Sequence, residues 1–324
     1  MRYSRQEIFP EIGKKGQEKL GKSTVAIIGI GALGSVSSEL LARAGIGKLI
    51  LIDRDIVELS NLQRQSLYDE NDLEKPKALQ AHHHLKKINS GIKIDFFIED
   101  LNNENIGKIL SKTDLILDCA DNLETRFLLN DFCVKNNVPF IYSSAIGSKG
   151  YVFNIIPNEG ACLRCFLKEA SLETCETNGV LNTITHAISS IQADEALKIL
   201  LNKNHEKNLL FLDIWKNELL KIKVNKNKNC VCCSKGDFEF LSGKKSTNTV
   251  KMCGSNLYQI KSKSFSKGDF LLLKAKLRKI GKLIDMDYCI NFERRMTIFS
   301  DGRALIKAKD EKGARSLYSK FVGN

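Results

Sequence analysis

Thr24-Val25-Ala26-Ile27-Ile28 runs into Gly29-Ile30-Gly31-Ala32-Leu33-Gly34, continues through residues 35–44, and is answered by Lys48-Leu49-Ile50-Leu51-Ile52-Asp53. Two short apolar runs around a stretch of helical length predict a βαβ unit whose strands are buried on both faces. Gly29, Gly31 and Gly34 let the backbone turn tightly and approach a phosphate. The helix that follows offers free N–H groups and a partial positive charge. Asp53 lies 19 residues past Gly34, about where an acid would hold a ribose hydroxyl. Taken alone, the pattern predicts NAD binding and a dehydrogenase.

The next residues argue for a different nucleotide chemistry. Ser60-Asn61-Leu62-Gln63-Arg64-Gln65 and Lys75-Pro76-Lys77 put Arg64 and Lys77 where phosphates would lie. A dinucleotide fold needs no such pair of cations. An enzyme splitting ATP between its α- and β-phosphates does, because charge builds on both. Asp121, in Asp118-Cys119-Ala120-Asp121-Asn122, is a reasonable Mg2+ ligand facing ATP, since hard cations favour carboxylate oxygen. Its other reading is an N-cap on the helix that starts near Asn122.

Outward from this core, residues 1–22 read as an amphipathic arm, 75–89 as a helix, 92–98 and 114–119 as strands, and 138–142 as another strand. Strands alternating with helices predict an α/β fold with a Rossmann-like, doubly wound, mostly parallel sheet, its ligands beyond the strands' C-terminal ends. A long helix is expected over 178–201, and a closing hairpin over 209–215 and 218–224; Trp215 and the phenylalanines are assigned to the core. Residues 1–240 form the first domain, 241–250 a linker, and 251–324 a small basic α+β domain. The last is expected to run β-α-β-β-α over 256–261, 267–279, 284–292, 295–307 and 310–321.

A chain of 324 residues suits two domains, since single cores rarely grow beyond ~250 residues. No apolar run approaches the ~18 residues of a membrane span, and the first residues lack a signal peptide's apolar core. A cytoplasmic protein with no membrane contact is the expectation. The net charge of +12 is unevenly placed: residues 1–243 balance 31 Lys and Arg with 31 Asp and Glu, while 244–324 hold 19 against 7. Such a module binds an acidic protein or RNA, or is simply a solvated face. With no basic-and-aromatic motif interleaved, nucleic acid is not the favoured partner.

Ten cysteines without an export signal point to metal or thiol chemistry rather than disulfides. Cys162-Leu163-Arg164-Cys165 and Cys230-Val231-Cys232-Cys233 are two knuckles with 64 residues between them. Four thiolates from Cys162, Cys165, Cys230 and Cys233 suit tetrahedral zinc in a structural role. Cys232 is a fifth thiol, able to replace a neighbour though with less usual geometry. Cys175 stands alone in a polar stretch ahead of the long helix, where a lowered pKa would make it a nucleophile. Against this, Glu173 and Glu176 would raise its pKa. Three consecutive histidines at 82–84 point different ways on a helix and read as surface.

Arg2-Tyr3-Ser4-Arg5-Gln6, the glycine turn, residues 60–65, Lys75-Pro76-Lys77, Asp118-Cys119-Ala120-Asp121-Asn122, both knuckles and Gln192-Ala193-Asp194-Glu195-Ala196-Leu197-Lys198 occur in this order. The combination closely resembles the ThiF/MoeB family of ubiquitin-activating-enzyme-like adenylyltransferases, over residues 1 to about 240. The resemblance implies a homodimer that adenylates the C-terminal Gly-Gly carboxylate of a small ubiquitin-like sulfur carrier, using ATP and Mg2+ and releasing pyrophosphate. It implies Gly31 at the nucleotide and Asp53, with Asp55 beside it, at the ribose. Asn61, Arg64, Gln65 and Lys77 fall at phosphate-contacting positions, Asp121 at Mg2+, and Arg5 in the neighbouring subunit's site. Cys175 matches a cysteine that takes the carrier as thioester or acyl-disulfide in ThiF-like and Urm-activating members; MoeB-like members do not depend on it. No rhodanese loop is present, so sulfur is expected from a separate donor. The alternatives are adenylation of another acceptor, a peptide or tRNA nucleoside, and a non-catalytic adaptor of the same fold.

Overall fold

The structure is a computed structural model that describes residues 2–168, 179–245, 249–251, 257–260, 265–286 and 288–323. The chain divides into two compact units, Met1–Lys245 and Ser246–Asn324. In the first, helices α1 (Ser4–Ile8) and α2 (Gly13–Leu20) precede β1 (Thr24–Ile28), α3 (Ala32–Ala44) and β2 (Lys48–Ile52). Then come α4 (Lys77–Ile88), β3 (Lys93–Phe97), α5 (Ile106–Leu110), β4 (Leu115–Asp118), α6 (Leu123–Asn136), β5 (Phe140–Ile146) and β6 (Lys149–Ile155). Helix α7 (Asn182–Leu200) and the hairpin β7 (Leu209–Asp213) and β8 (Glu218–Ile222) complete it.

The eight strands lie in the order β3-β2-β1-β4-β5-β6-β7-β8, parallel from β3 to β5 and antiparallel from β5 to β8. The mostly parallel doubly wound sheet is therefore as expected. Its central strand explains the unbroken apolar run: Val25 and Ile27 pack into the core under α3, α4 and α7, while Ala26 and Ile28 pack into the one under α5 and α6. Side chains alternate across a strand, and here both faces are covered. Strand order reverses between β1 and β4, which opens a crevice beyond their C-terminal ends.

Two details depart from the sequence reading. The long helix starts at Asn182, not 178, because Gly147 pairs with Val180 and holds that segment extended through hydrogen bonds to Gly179 and Leu181. Of the aromatics assigned to the core, Trp215 is 78% exposed at the tip of the β7–β8 hairpin and Phe9 is 54% exposed after α1. None of the described helices is long and apolar enough to cross a membrane.

The second unit holds β9 (Thr249–Lys251), β10 (Leu257–Ile260), α8 (Lys267–Arg278), β11 (Leu283–Asp285), β12 (Cys289–Phe292), β13 (Met296–Phe299), β14 (Ala304–Lys307) and α9 (Glu311–Phe321). They form an antiparallel sheet of order β11-β12-β13-β14-β10-β9 with one helix-covered core. The expected β-α-β-β-α order is thus corrected. The run over 284–292 reverses between Asp285 and Cys289, where Met286 N–H donates to the Cys289 carbonyl. The run over 295–307 reverses at Gly302, whose φ of +79° lets Phe299 N–H reach the Arg303 carbonyl. The supposed linker over 241–250 is not all linker. Asp131 accepts the Leu241 N–H, tying it to the first unit, and Thr249 and Val250 belong to β9.

Candidate active site

The crevice is built around the turn after β1. Gly29 has φ +86°, and a Cβ there would stand 2.6 Å from the Cys119 carbonyl oxygen. A Cβ on Gly34 would stand 1.9 Å from the Gly29 carbonyl oxygen. Only glycine fits either place, so the turn is tied against β4 and the start of α3 packs onto the turn. Gly31 is the N-cap of α3 and supplies no side-chain acceptor. The first N–H groups of that helix therefore point into the crevice as an anion site.

Acidic and basic groups gather beside it. Asp53 is buried, accepting the Ile30 N–H at 2.6 Å on one oxygen and the Asp55 N–H at 2.7 Å on the other. Asp53 thus braces the turn directly. Burial raises its pKa, with Lys77 pulling the other way. Lys77 Nζ donates to Asp55 at 2.7 Å. Pro76 bridges Ile56, and Lys77 N–H reaches the Asp55 carbonyl, so Lys75-Pro76-Lys77 is pinned along residues 55–57. Burial depresses the Lys77 ammonium, but Asp55 and Asp53 outweigh it and its pKa ends above its ordinary value. It is a permanent cation near pH 7.

Asp121 faces the same group. Asp121 is exposed; desolvation of its carboxyl by the surrounding protein pushes its pKa up, yet the positive charges of Arg54 and Lys77 bring it below the ordinary carboxylate range. The N-cap is Asn122, which accepts the Thr125 N–H at 2.9 Å and donates to Asp121 at 3.2 Å. Asp121 therefore remains ionised and is not committed to capping. Gln65 and Asn61 are buried after β2; Gln65 Nε2 lies against Gly31, and Gln65 Oε1 is buried with no hydrogen-bond partner among the described residues. Arg64 folds back onto the Ser60 carbonyl at 2.8 Å.

Sequence reasoning did not single out three supporting residues. Tyr68 donates its hydroxyl to the Ile30 carbonyl at 2.8 Å, holding the glycine turn from behind. Arg54 pairs with Asp100 at 2.9 Å while lending charge to Asp121. Arg126, on α6, donates to the Ala120 carbonyl at 2.6 Å, stacks on Tyr142, and faces Asp118. Asp118 is fully buried; burial raises its carboxyl to about 6 against the opposing pull of Arg126. Tyr68 and Arg54 act through partners far off in sequence and Arg126 through a nearby carbonyl; the only available signal, at Arg54 and Arg126, was the basic residue type.

Arg5 is not brought to this crevice. It is exposed on α1. That arm is anchored by Gln6 on the Ala44 carbonyl and by Tyr3 against Gly45, at the far end of α3. A helix of 13 residues separates it from the turn by about 20 Å. Cys175 lies outside the described residues.

The four knuckle cysteines converge. Cys162 and Cys230 sulfurs are 3.6 Å apart, Cys165 and Cys233 3.5 Å, and Cys162 and Cys165 4.0 Å. All four lie within 4.8 Å of one another. Tetrahedral Zn–S bonds of about 2.3 Å place sulfurs just under 4 Å apart, so the cluster fits zinc. Cys232 is not one of the four: it is buried, accepting from Asn130 Nδ2 at 3.1 Å. Asn130 Oδ1 also takes the Leu163 N–H, and Asp131 takes the Phe240 N–H, so one turn of α6 holds both knuckle segments.

The ThiF family model matches residues 3–233. The chain is 39% identical to the sulfur carrier protein ThiS adenylyltransferase of Bacillus subtilis, over 99% of each chain. It is 33% identical to the SAMP-activating enzyme E1 of Haloferax volcanii, over 72% of this chain and 89% of that one. With the adenylyltransferase and sulfurtransferase MOCS3 of Xenopus laevis it shares 37% identity over 78% of this chain, but spans only 59% of that protein. Among solved structures, Escherichia coli MccB with ATP superposes with a TM-score of 0.63 at 23% identity over 72% of this chain and 73% of that one, a likeness of fold. On the family match and the Bacillus relative together, this chain belongs to the ThiF family.

Proposed function

We propose that the protein is an ATP-dependent adenylyltransferase that activates the C-terminal Gly-Gly carboxylate of a ubiquitin-like sulfur carrier. One observation supports this above the rest. The uncapped start of α3 opens onto the crevice where Lys77 and Asp121 interact, which suits a polyphosphate held for attack. The carrier carboxylate attacks the α-phosphorus of ATP, the bond to the β-phosphate oxygen breaks, and acyl-adenylate and pyrophosphate form. A carboxylate needs no general base, being already ionised at neutral pH. The difficulty is bringing one anion to another, so catalysis is alignment and charge neutralisation.

In this reading the N–H groups of α3 hold phosphate oxygens, Lys77 neutralises the leaving pyrophosphate, and Arg64 leaves the Ser60 carbonyl to join it. Asp53 and Asp55 face the ribose, and Asn61 and Gln65 line the phosphate path. Asp121 would hold Mg2+, which screens charge on the phosphates when bound. Arg5 serves the site of a second copy, in a homodimer, as its distance from its own crevice and the neighbouring exposed Ile8 and Phe9 suggest. After adenylation the Cys175 thiolate attacks the acyl carbon, AMP leaves and a thioester forms; alternatively a persulfide left on Cys175 by a separate sulfur donor attacks, AMP leaves and an acyl-disulfide forms. The test is ATP–pyrophosphate exchange with each small Gly-Gly-terminated β-grasp protein of the same genome. Exchange with at least one supports the reading; none with any of them contradicts it.

A further inference from the structure

We propose that the outer face of α8, in the second unit, is a docking surface for the acidic body of the carrier protein, in addition to the capture of its tail. The inference rests on the carrier-activating reading above. Helix α8 is capped at Ser266, which accepts the Asp269 N–H, and it buries Phe270, Leu273 and Leu277 against the sheet. Positions i, i+3 and i+7 satisfy the inward stripe of a surface helix, and the other face should then be polar. It is not. Leu271 and Leu272 are 64% and 73% exposed, side by side, with Ala275 beyond them on the same face.

Cations surround this apolar centre. Lys276 and Lys279 are exposed on its C-terminal side. Lys274 and Arg278 both turn to one acid, Asp285, so the rim carries more positive than negative charge. An apolar centre inside a charged rim is the anatomy of a protein interface. The charge identifies the occupant. Residues 244–324 carry the whole positive excess of the chain, whereas residues 1–243 are balanced. A partner with an apolar patch rimmed by acids is the complement, and the carrier is the protein this enzyme must gather. Nucleic acid fits less well, because leucines offer nothing to phosphates and no aromatic lies on this face. A membrane fits less well too, since two leucines on a helix already committed to a core bury little area in lipid. The module is covalently continuous with the adenylating unit, so a carrier held on α8 is held to the same chain as the crevice. The predicted signature is a lower KM for carrier with no change in chemistry.

The experiment uses the full chain and a carrier that supports exchange, comparing wild type with Leu271→Ser/Leu272→Ser and Lys276→Glu/Lys279→Glu. All four positions are exposed, so circular dichroism should match wild type, with only a small drop in melting for the Lys-to-Glu pair at the C-terminal end of α8. The expected result is a rise of about tenfold in carrier KM for each double variant, with kcat and ATP KM unchanged. For wild type the carrier KM should climb with salt; for the Lys-to-Glu variant that dependence should flatten. Unchanged carrier KM in both folded variants overturns the proposal while leaving the adenylation reading intact. So does wild-type binding to RNA or to anionic phosphatidylserine vesicles that these substitutions abolish without moving carrier KM. Absence of exchange with every carrier instead removes the underlying reading, and the docking surface with it.

Discussion

Replacing Gly34 by alanine tests whether the nucleotide turn is held by backbone packing. The added Cβ would sit 1.9 Å from the Gly29 carbonyl oxygen, 3.0 Å from its carbon and 3.3 Å from Ile27 Cγ2. The first two are backbone atoms, so no side-chain rotation relieves the overlap and the turn itself must open. Overpacking of this kind costs about 1–3 kcal/mol. At about 2–4 °C per kcal/mol for a unit of this size, melting should fall by roughly 2–12 °C. Because the turn also leads into the anion-binding start of α3, ATP affinity should fall with it, read by calorimetric titration. Gly107→Ala in α5 is the control. Nothing lies within 4 Å of its Cβ position, so there alanine should add about 0.4–1 kcal/mol by restricting the unfolded chain. If Gly34→Ala melted and bound ATP as wild type does, the packing argument for the turn would be wrong.

Other outcomes follow from the same geometry. Stripping metal from the four-cysteine cluster, or Cys162→Ser, should lower the melting temperature sharply, since such a site contributes on the order of 10 kcal/mol to local folding; identical melts with and without chelator would remove the structural zinc. Asp118, raised from 3.8 to about 6 by burial, penalises the fold above pH 6, and the penalty is relieved as pH falls towards 4. Asp118→Asn should therefore change stability relative to wild type in a pH-dependent way, by about 3 kcal/mol between pH 4 and pH 7; a difference constant across urea melts from pH 4 to 8 would refute this. Cys175→Ala should leave ATP–pyrophosphate exchange intact and abolish only sulfur transfer to the carrier; lost exchange would show that adenylation and transfer are not separate.

Much of the first unit is legible in its sequence because its signals are local. Gly29, Gly31 and Gly34 announce a tight turn, unbroken apolar runs announce strands covered on both faces, and paired C-x-x-C spacing announces a cysteine cluster that could hold a metal. Less of the second unit is legible. Its strands reverse inside continuous apolar runs, and although Asp301-Gly302 is a hairpin turn signal, the reversal between Asp285 and Cys289 contains neither glycine nor proline. The supports of the active site are hidden for a different reason. Tyr68, Arg54 and Arg126 act through partners 38, 46 and 6 residues away, and no periodicity encodes which side chain will face which carbonyl. Asp53 illustrates the overlap of the two. Its position after β2 marks it for a ribose, while the structure also uses both its oxygens to fix the glycine turn.

The central claim is that Lys77, beside the glycine turn, lets one anion attack another. Its most direct measurement is carrier-dependent ATP–pyrophosphate exchange in wild type and Lys77→Ala, with ATP binding followed in parallel. The account predicts exchange in wild type and a fall of at least about a hundredfold in kcat for the variant, a loss of roughly 3 kcal/mol of transition-state stabilisation. Wild-type rates in Lys77→Ala, or no exchange in wild type with any Gly-Gly carrier, would contradict it.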